Sequence, residues 1–315
     1  MKYLIYPERQ GTPTATSSDA VYIPAWLTSN NIRKKGWKAL SGVATATLRC
    51  PISANASVLT LQGTNAESAM CTLTLDSAEK ALDAQAAVDV GGGLVTIPLT
   101  GHGYTVGQTL LFYGTTNYDG VHVLPVQTAG GEDDIVITAT FVAETFSITD
   151  TACVIVETTT HDLLTIPVDR LWQRYTSQVA AHTATIKLAA ASGVTVYAGI
   201  FRAGTLVTIK GPHPGVGEAD KDYDIIYEMR NGAFDGKAGE VVRTFDYQII
   251  IPRETTLRTL QRIHRYYRPD PFAMLISNQA GNDNMWSVFG RLLQVRATHD
   301  MPIDSSVSIS VEEVV

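Results

Sequence analysis

Apolar and polar positions alternate along most of this chain with the two-residue period of half-buried strands, and with the 3.6-residue period of a helix in one place only. Residues 57–61 (Ser-Val-Leu-Thr-Leu) and 71–75 (Cys-Thr-Leu-Thr-Leu) form one such pair, with Gly63-Thr64-Asn65 as the loop between them. After Gly91-Gly92-Gly93, which reads as a flexible boundary, five short candidates follow at 94–99, 109–113, 121–126, 135–141 and 145–148. Residues 153–156 return the chain to its parent domain. Further strands are predicted at 163–168, 185–188, 223–229, 241–251, 272–277, 286–296 and 307–311, and a hairpin at 194–201 and 205–209 turning on Ala203-Gly204. Residues 211–222, with two prolines and three glycines, read as a long loop, and the Ala-rich 78–87 as a short helix or a linker. The exception to the β period lies at Leu257, Leu260, Ile263 and Tyr267, whose three- and four-residue steps give a helix one apolar face. Pro269 and Pro271 end it.

This pattern predicts a mainly β protein with one helix. Residues 1–90 and 158–315 form a discontinuous β-rich domain, interrupted by an inserted all-β module at 91–157, a sandwich or small barrel. The first 50 residues carry only short apolar pieces at 3–6 and 21–27 and a basic cluster at Arg33, Lys34, Lys35 and Lys38, and read as an extended arm. Inside the module, Gly101, Gly103 and Gly107 are turn positions, and Asp119-Gly120 is a hairpin turn between two strands.

Composition narrows the function classes. A chain of 315 residues, 45% hydrophobic, can fill two cores, yet only 17% of its residues are charged, as expected where Thr, Ser, Ala and Gly, or neighbouring subunits, cover the surface. A net charge of −7 argues against a nucleic-acid binder. Cys50, Cys71 and Cys153 are too few and too scattered for a disulfide framework or a zinc site, and read as buried thiols in a reducing compartment. The apolar run at the N-terminus is too short for a signal-peptide core and no stretch approaches the ~20 apolar residues of a membrane helix, so assembly in the cytoplasm and no membrane partner are expected.

Candidate chemistry is sparse. Of the seven histidines, His102, His122 and His161 lie in or near the module, without the spacing or cysteine partners of a zinc site. Glu132-Asp133-Asp134 lacks the alternating oxygen ligands of a calcium loop. No nucleophile elbow or phosphate loop occurs, so neither an enzyme nor a cofactor is expected. The helix does carry Arg258, Arg262, Arg265 and Arg268 at steps of four and three, a basic stripe. In an acidic chain it suits an acidic face of a neighbouring subunit, ahead of a solvated surface or nucleic acid. With Arg33, Lys34 and Lys35 it supplies the candidate subunit-interface residues.

Two resemblances follow from these residues. Gly101-His102-Gly103, the step to Gly107 and Asn117-Tyr118-Asp119-Gly120 resemble the small β modules that recur in phage virion proteins. Their likeness to the first catalytic-cysteine half-domain of ubiquitin-activating enzymes concerns a non-catalytic fold. The last third, with a long strand at 241–251, the helix, Trp286-Ser287-Val288-Phe289-Gly290-Arg291-Leu292 and the strand 307–311, resembles the end of a phage tail-tube protein. These resemblances imply a virion subunit, a homo-oligomer closing into stacked rings around a lumen that DNA transits without specific contact, with other virion proteins as partners. A neck, baseplate or head-decoration protein is the nearest alternative. A carbohydrate- or receptor-binding module, with Tyr104, Tyr113 and Tyr118 lining a sugar site, is the alternative from another class.

Overall fold

The computed structural model describes residues 2–7, 11–28, 36–52, 56–74, 79–125, 134–164, 170–174, 183–209, 216–222, 225–228, 234–237, 241–266, 271–275, 287–299 and 303–314. It is mainly β, 57% strand and 8% helical, and its large sheet is a curled half-barrel. In chain order the strands are β1 (Lys2–Pro7), β2 (Thr14–Ala15), β3 (Trp37–Lys38), β4 (Thr45–Pro51), β5 (Val58–Gln62), β6 (Ser68–Thr74), β7 (Lys80–Ala81) and β8 (Val88–Gly91). There follow β9 (Leu94–Pro98), β10 (Thr109–Tyr113), β11 (Gly120–Val123), β12 (Asp134–Thr138), β13 (Thr151–Asp162), β14 (Arg170–Arg174), β15 (Thr183–Ala189) and β16 (Tyr197–Ala198). The last third holds β17 (Ile200–Ile209), β18 (Val216–Asp222), β19 (Ile225–Glu228), β20 (Phe234–Lys237), β21 (Val241–Pro252), helix α1 (Arg258–Tyr266), β22 (Phe272–Leu275), β23 (Ser287–Thr298) and β24 (Asp304–Glu313).

Nine strands form the curled sheet in the order β14-β5-β17-β1-β22-β23-β24-β21-β18. A second sheet runs β11-β10-β13-β6-β15-β4-β2, with β7 also on β13. Leu59, Leu61, Leu171, Phe201 and Ala203 of the first sheet pack on Leu48, Cys50, Cys71, Leu73, Ala184 and Ile186 of the second, giving the sandwich core. On the reverse face of β5 and β17, Val58 and Ile200 meet Trp172, Ala273, Leu275 and Phe289, which the curl brings over them. All five residues of β5 are therefore buried, and its buried Thr60 hydroxyl donates to the Leu171 carbonyl at 2.7 Å.

Several expectations change. The segments at 57–61 and 71–75 are not partners: β5 joins the large sheet and β6 the other, because the 63–65 loop carries the chain between the two layers. Ala203-Gly204 is no turn; β17 runs straight through, with Ala203 opposite Leu59 and Gly204 opposite Val58. Residues 216–222 of the expected loop are strand β18, and 145–148 contribute one bridge, Ala86 to Thr145, and a turn. Within the first 50 residues, β1 lies between β17 and β22, and Leu27, Trp37, Leu48 and Cys50 are core, so this part is woven into the domain and is not an arm.

The module has its own core, where Val95 and Ile97 of β9 and Ile135 and Ile137 of β12 face Leu110 and Phe112 of β10 and Ala152 and Val154 of β13. That core also takes Leu82 and Ala87 from the Ala-rich stretch, which is neither a helix nor a spacer. Gly91, Gly92 and Gly93, at φ 84°, 66° and 79°, make the turn between β8 and β9 and so lie inside the module. Strand β13 is shared: Thr151, Ala152, Cys153 and Val154 pair with β10, and from Ile155 onward, through a bulge between Ile155 and Glu157, the strand pairs with β6.

Helix α1 follows a π-type turn, Arg253–Leu257, and the two together lay Leu257, Leu260 and Ile263 on Phe245, Ile249, Val288, Leu292, Val307 and Ile309 of β21, β23 and β24. Leu260→Ala leaves a cavity under the helix, with an expected loss of ~2–5 kcal/mol in denaturant unfolding, whereas Thr259→Ala changes stability by less than about 1 kcal/mol.

Candidate assembly surfaces

Docking of the apolar face of α1 turns Arg258, Arg262 and Arg265 to solvent, and all three are exposed. Arg258 pairs with Glu254 one turn earlier at 2.8 Å, but both side chains are 71% exposed, so the pair adds only a few tenths of a kcal/mol. Arg253 turns back to the Ser305 hydroxyl at 3.3 Å. Arg268, Arg33, Lys34 and Lys35 lie outside the described residues.

A second charged group, which sequence reasoning missed, sits at the end of β24. Adjacent strand residues point to opposite faces, so Glu312 and Glu313 need separate partners. Glu313, 5% exposed, accepts two bonds from Arg243 of β21, from Nε at 2.6 Å and Nη2 at 2.8 Å, and pairs with Arg170 of β14 at 2.7 Å. Arg170 also donates to the Ser287 carbonyl at 2.7 Å. Glu312, equally enclosed, pairs with Arg291 of β23 at 2.5 Å and with Lys221 of β18 at 3.5 Å. The signal was present: Glu313 continues the apolar parity of Val307, Ile309 and Val311, and a carboxylate at a core parity must be paired.

Where β13 passes β14, a polar cluster joins the two sheets. Gln173 Nε2 donates to Glu157 Oε1 at 3.2 Å and Thr159 Oγ1 at 3.1 Å, and its Oε1 is 2.8 Å from His161 Nε2. Residues 157, 159 and 161 share one face of β13 by strand periodicity. Burial lowers the His161 pKa, and the bond to Gln173 opposes that shift.

The module's candidates are structural. Tyr104 and Tyr118 are interior, their hydroxyls donating to the carbonyls of Ala152 at 2.8 Å and Val142 at 2.6 Å, so they line no surface sugar site. Tyr113 is covered by the Arg49 guanidinium, 4.5 Å above its ring, and Arg49 pairs with Glu79 at 2.6 Å. His102, between the turn glycines Gly101 and Gly103, is buried and accepts the Tyr104 N–H at Nδ1, 2.8 Å away. His122 lies edge-on to Phe112. Gly101, Gly103, Gly107 and Gly120 all have positive φ. Asp119 accepts from the Thr115 hydroxyl at 3.0 Å; burial raises its pKa, the Thr115 bonds oppose this, and Asp150 and Glu144 raise it further. All three cysteines are free and buried, and burial pushes the Cys71 thiol up to about 12. No group of three or more His, Cys, Asp or Glu among the described residues is placed to hold a metal ion.

Three further surfaces stand open. Among the described residues strand β18 ends the large sheet and pairs with β21 alone, and residues 217–221 are exposed. On the face of β21 and β24 away from α1, Asp246, Gln248, Ser308 and Ser310 form a polar surface beside Gln294 and Arg296 of β23. Val21, Tyr22, Ile23, Leu40, Val194 and Tyr197 are exposed apolar residues on neighbouring segments, joined by Lys38 N–H to the Tyr22 carbonyl and Ala39 N–H to the Val196 carbonyl, both at 3.0 Å. No protein-family model matches this chain, and no curated protein matches it.

Glu313→Gln leaves two guanidiniums facing a neutral amide. Because Arg243 is itself 35% exposed, the loss expected in chemical denaturation is toward the low end of the buried-pair range, ~3 kcal/mol, against less than about 1 kcal/mol for Glu218→Gln, whose pair with Arg243 is exposed at 3.7 Å. His161 has a folded pKa below its ordinary 6.5, so its neutral form supports the fold above that pH, and this support is lost as pH falls through the lowered value. The melting temperature of the wild type is therefore expected to drop more steeply below pH 6.5 than that of His161→Gln; parallel pH profiles contradict this assignment.

Proposed function

We propose that this chain is a non-enzymatic structural subunit of a phage virion, a tail-tube or tail-associated ring protein that closes with further copies of itself around a lumen for DNA. The observation that carries this reading is the set of surfaces one copy leaves unsatisfied: the open strand β18 ending a nine-stranded sheet, and the apolar group around Val21, Leu40 and Tyr197 at another part of the same domain. An unpaired strand edge is a template for another chain, and exposed apolar groups of this kind mark contact sites. Distinct patches used head to tail generate rings when the rotation closes.

The order of long strand, helix and antiparallel strands in β21, α1, β22, β23 and β24 supports the tail-tube likeness. The polar face of β21, β24 and β23 suits a lumen wall. It carries hydroxyls, amides and charges of both signs, Asp246 and Arg296, so phosphates passing along it meet no dense basic surface to hold them. In this reading the module decorates the outside, other virion proteins cap the stack, DNA is a transient and non-specific partner, no membrane is involved, and subunits made in the host cytoplasm end in the virion.

Sedimentation velocity of the purified chain across a hundredfold concentration range is the direct check. Growth from the monomer into a discrete large species, or a series of them, is expected; a single monomer boundary at every concentration contradicts the proposal.

A further inference from the structure

The acidity of this chain is confined to one part of it. Between Ala81 and Asp169 there are eleven Asp and Glu and no Lys or Arg, so all 24 bases fall in the remainder, against 20 acids. That stretch holds the module, whose Asp89, Asp119 and Asp134 are exposed. Directly after Asp119, strand β11 ends the second sheet among the described residues and shows Val121 and Val123, 52% and 54% exposed. Register sets Val121 opposite Leu111 and Val123 opposite Thr109, so both lie on the face away from Leu110 and Phe112 of the module core. The module thus offers a short apolar strip headed by an acid.

The opposite edge of the same sheet, among the described residues, is β2, and the apolar group of Val21, Tyr22, Leu40 and Tyr197 adjoins it. Leu40 N–H donates to the hydroxyl of Ser17, just past β2, at 3.1 Å. This group is held in place before any contact forms: Val21 N–H donates to Asp19 Oδ1 at 2.8 Å, and the Trp26 indole N–H to the Val21 carbonyl at 3.2 Å. Its charge is the reverse of the module's. Residues 20–40 include four bases and no acid, and the exposed Lys38 lies opposite Tyr197 in the β3–β16 pair. Strip and patch are each exposed in the single chain, so neither covers the other.

We infer that Val121 and Val123 of one copy dock on the group of Val21, Tyr22 and Leu40 of the next, with Asp119 facing Lys38. This rests on the assembly reading above and names one contact that makes it. The two surfaces differ, so the contact is heterologous: each copy gives a strip and takes one, and the module links neighbours along the outside of the assembly. Burial of the apolar side chains supplies the attraction, and the opposite charges decide which surface is accepted.

Full-length variants test it by sedimentation velocity at equal salt. The strip variant, Val121→Thr with Val123→Thr, and the patch variant, Tyr22→Ser with Leu40→Ser, are each expected to raise the concentration needed for assembly roughly tenfold or more. Lys38→Glu, which sets an acid against the acidic module, is expected to raise it roughly threefold or more. At a concentration where the wild type assembles and neither double variant does, an equal mixture of the two is expected to form a two-chain complex, because one supplies an intact strip and the other an intact patch. Circular dichroism and the unfolding midpoint are followed in parallel, and Val123→Thr and Leu40→Ser alone, both at exposed positions, are milder variants with the same expected direction. Wild-type assembly by the strip variant, the patch variant or Lys38→Glu, or a mixture that stays monomeric, overturns this contact and leaves the proposed function standing. Normal assembly by the strip variant with loss in the patch variant overturns it too and assigns the patch to a contact with another surface. A wild type that never assembles overturns both.

Discussion

A carboxylate at the end of the last strand holds the large sheet in its curl. Glu313 on β24 takes Arg243 from the neighbouring strand and Arg170 from β14, which lies at the far edge of the same sheet. Arg170 also bonds the Ser287 carbonyl, so the first edge is tied back to β23 and β24. With the edge in that place, β5 and β17 bury both faces, one in the sandwich core and one under Phe289 and Leu275. An enclosed ion pair seldom adds net stability over an apolar replacement, and its value here is geometric: a partner missing on either side would leave a charge stranded in the interior. The apolar clusters supply the bulk of the stabilisation, and the pair selects which strands they bring together.

The elements were more legible than their partners. Alternation located β10, β15, β21, β23 and β24, and the apolar steps at Leu257, Leu260 and Ile263 located the one helix, because period and burial are local properties. Pairing is not local. Residues 57–75 look like a hairpin until the loop at 63–65 moves the chain into the other layer, and Ala203-Gly204 looks like a turn because a glycine that fills a central strand and a glycine that reverses a chain have the same letter. The apolar pieces of the first 50 residues are each short, yet Leu27 and Trp37 enter a core that also holds Leu171, Ala184 and Phe201, over a hundred residues away.

The candidate surfaces divide in the same way. The arginine stripe could be read from helical spacing and faces solvent at Arg258, Arg262 and Arg265. The open edge at β18 could not, as glycines and prolines near it suggested a loop and its exposure depends on which strands lie beside it. Nor could the cluster of Gln173 with Glu157, Thr159 and His161, built from two strands of different sheets. Tyr104 and Tyr118 show the converse: aromatic residues beside turn glycines suggest a binding surface, while their hydroxyls find backbone carbonyls inside the module.

These features describe a β domain with filled cores and an exposed strand β18, with the module joined to it through a continuous strand, β13. The central claim is that further copies complete it. Negative-stain electron microscopy of the purified protein at high concentration tests this most directly: closed rings or stacked tubes with an open centre are expected, and a field of single compact particles, unchanged as concentration rises, would contradict the account.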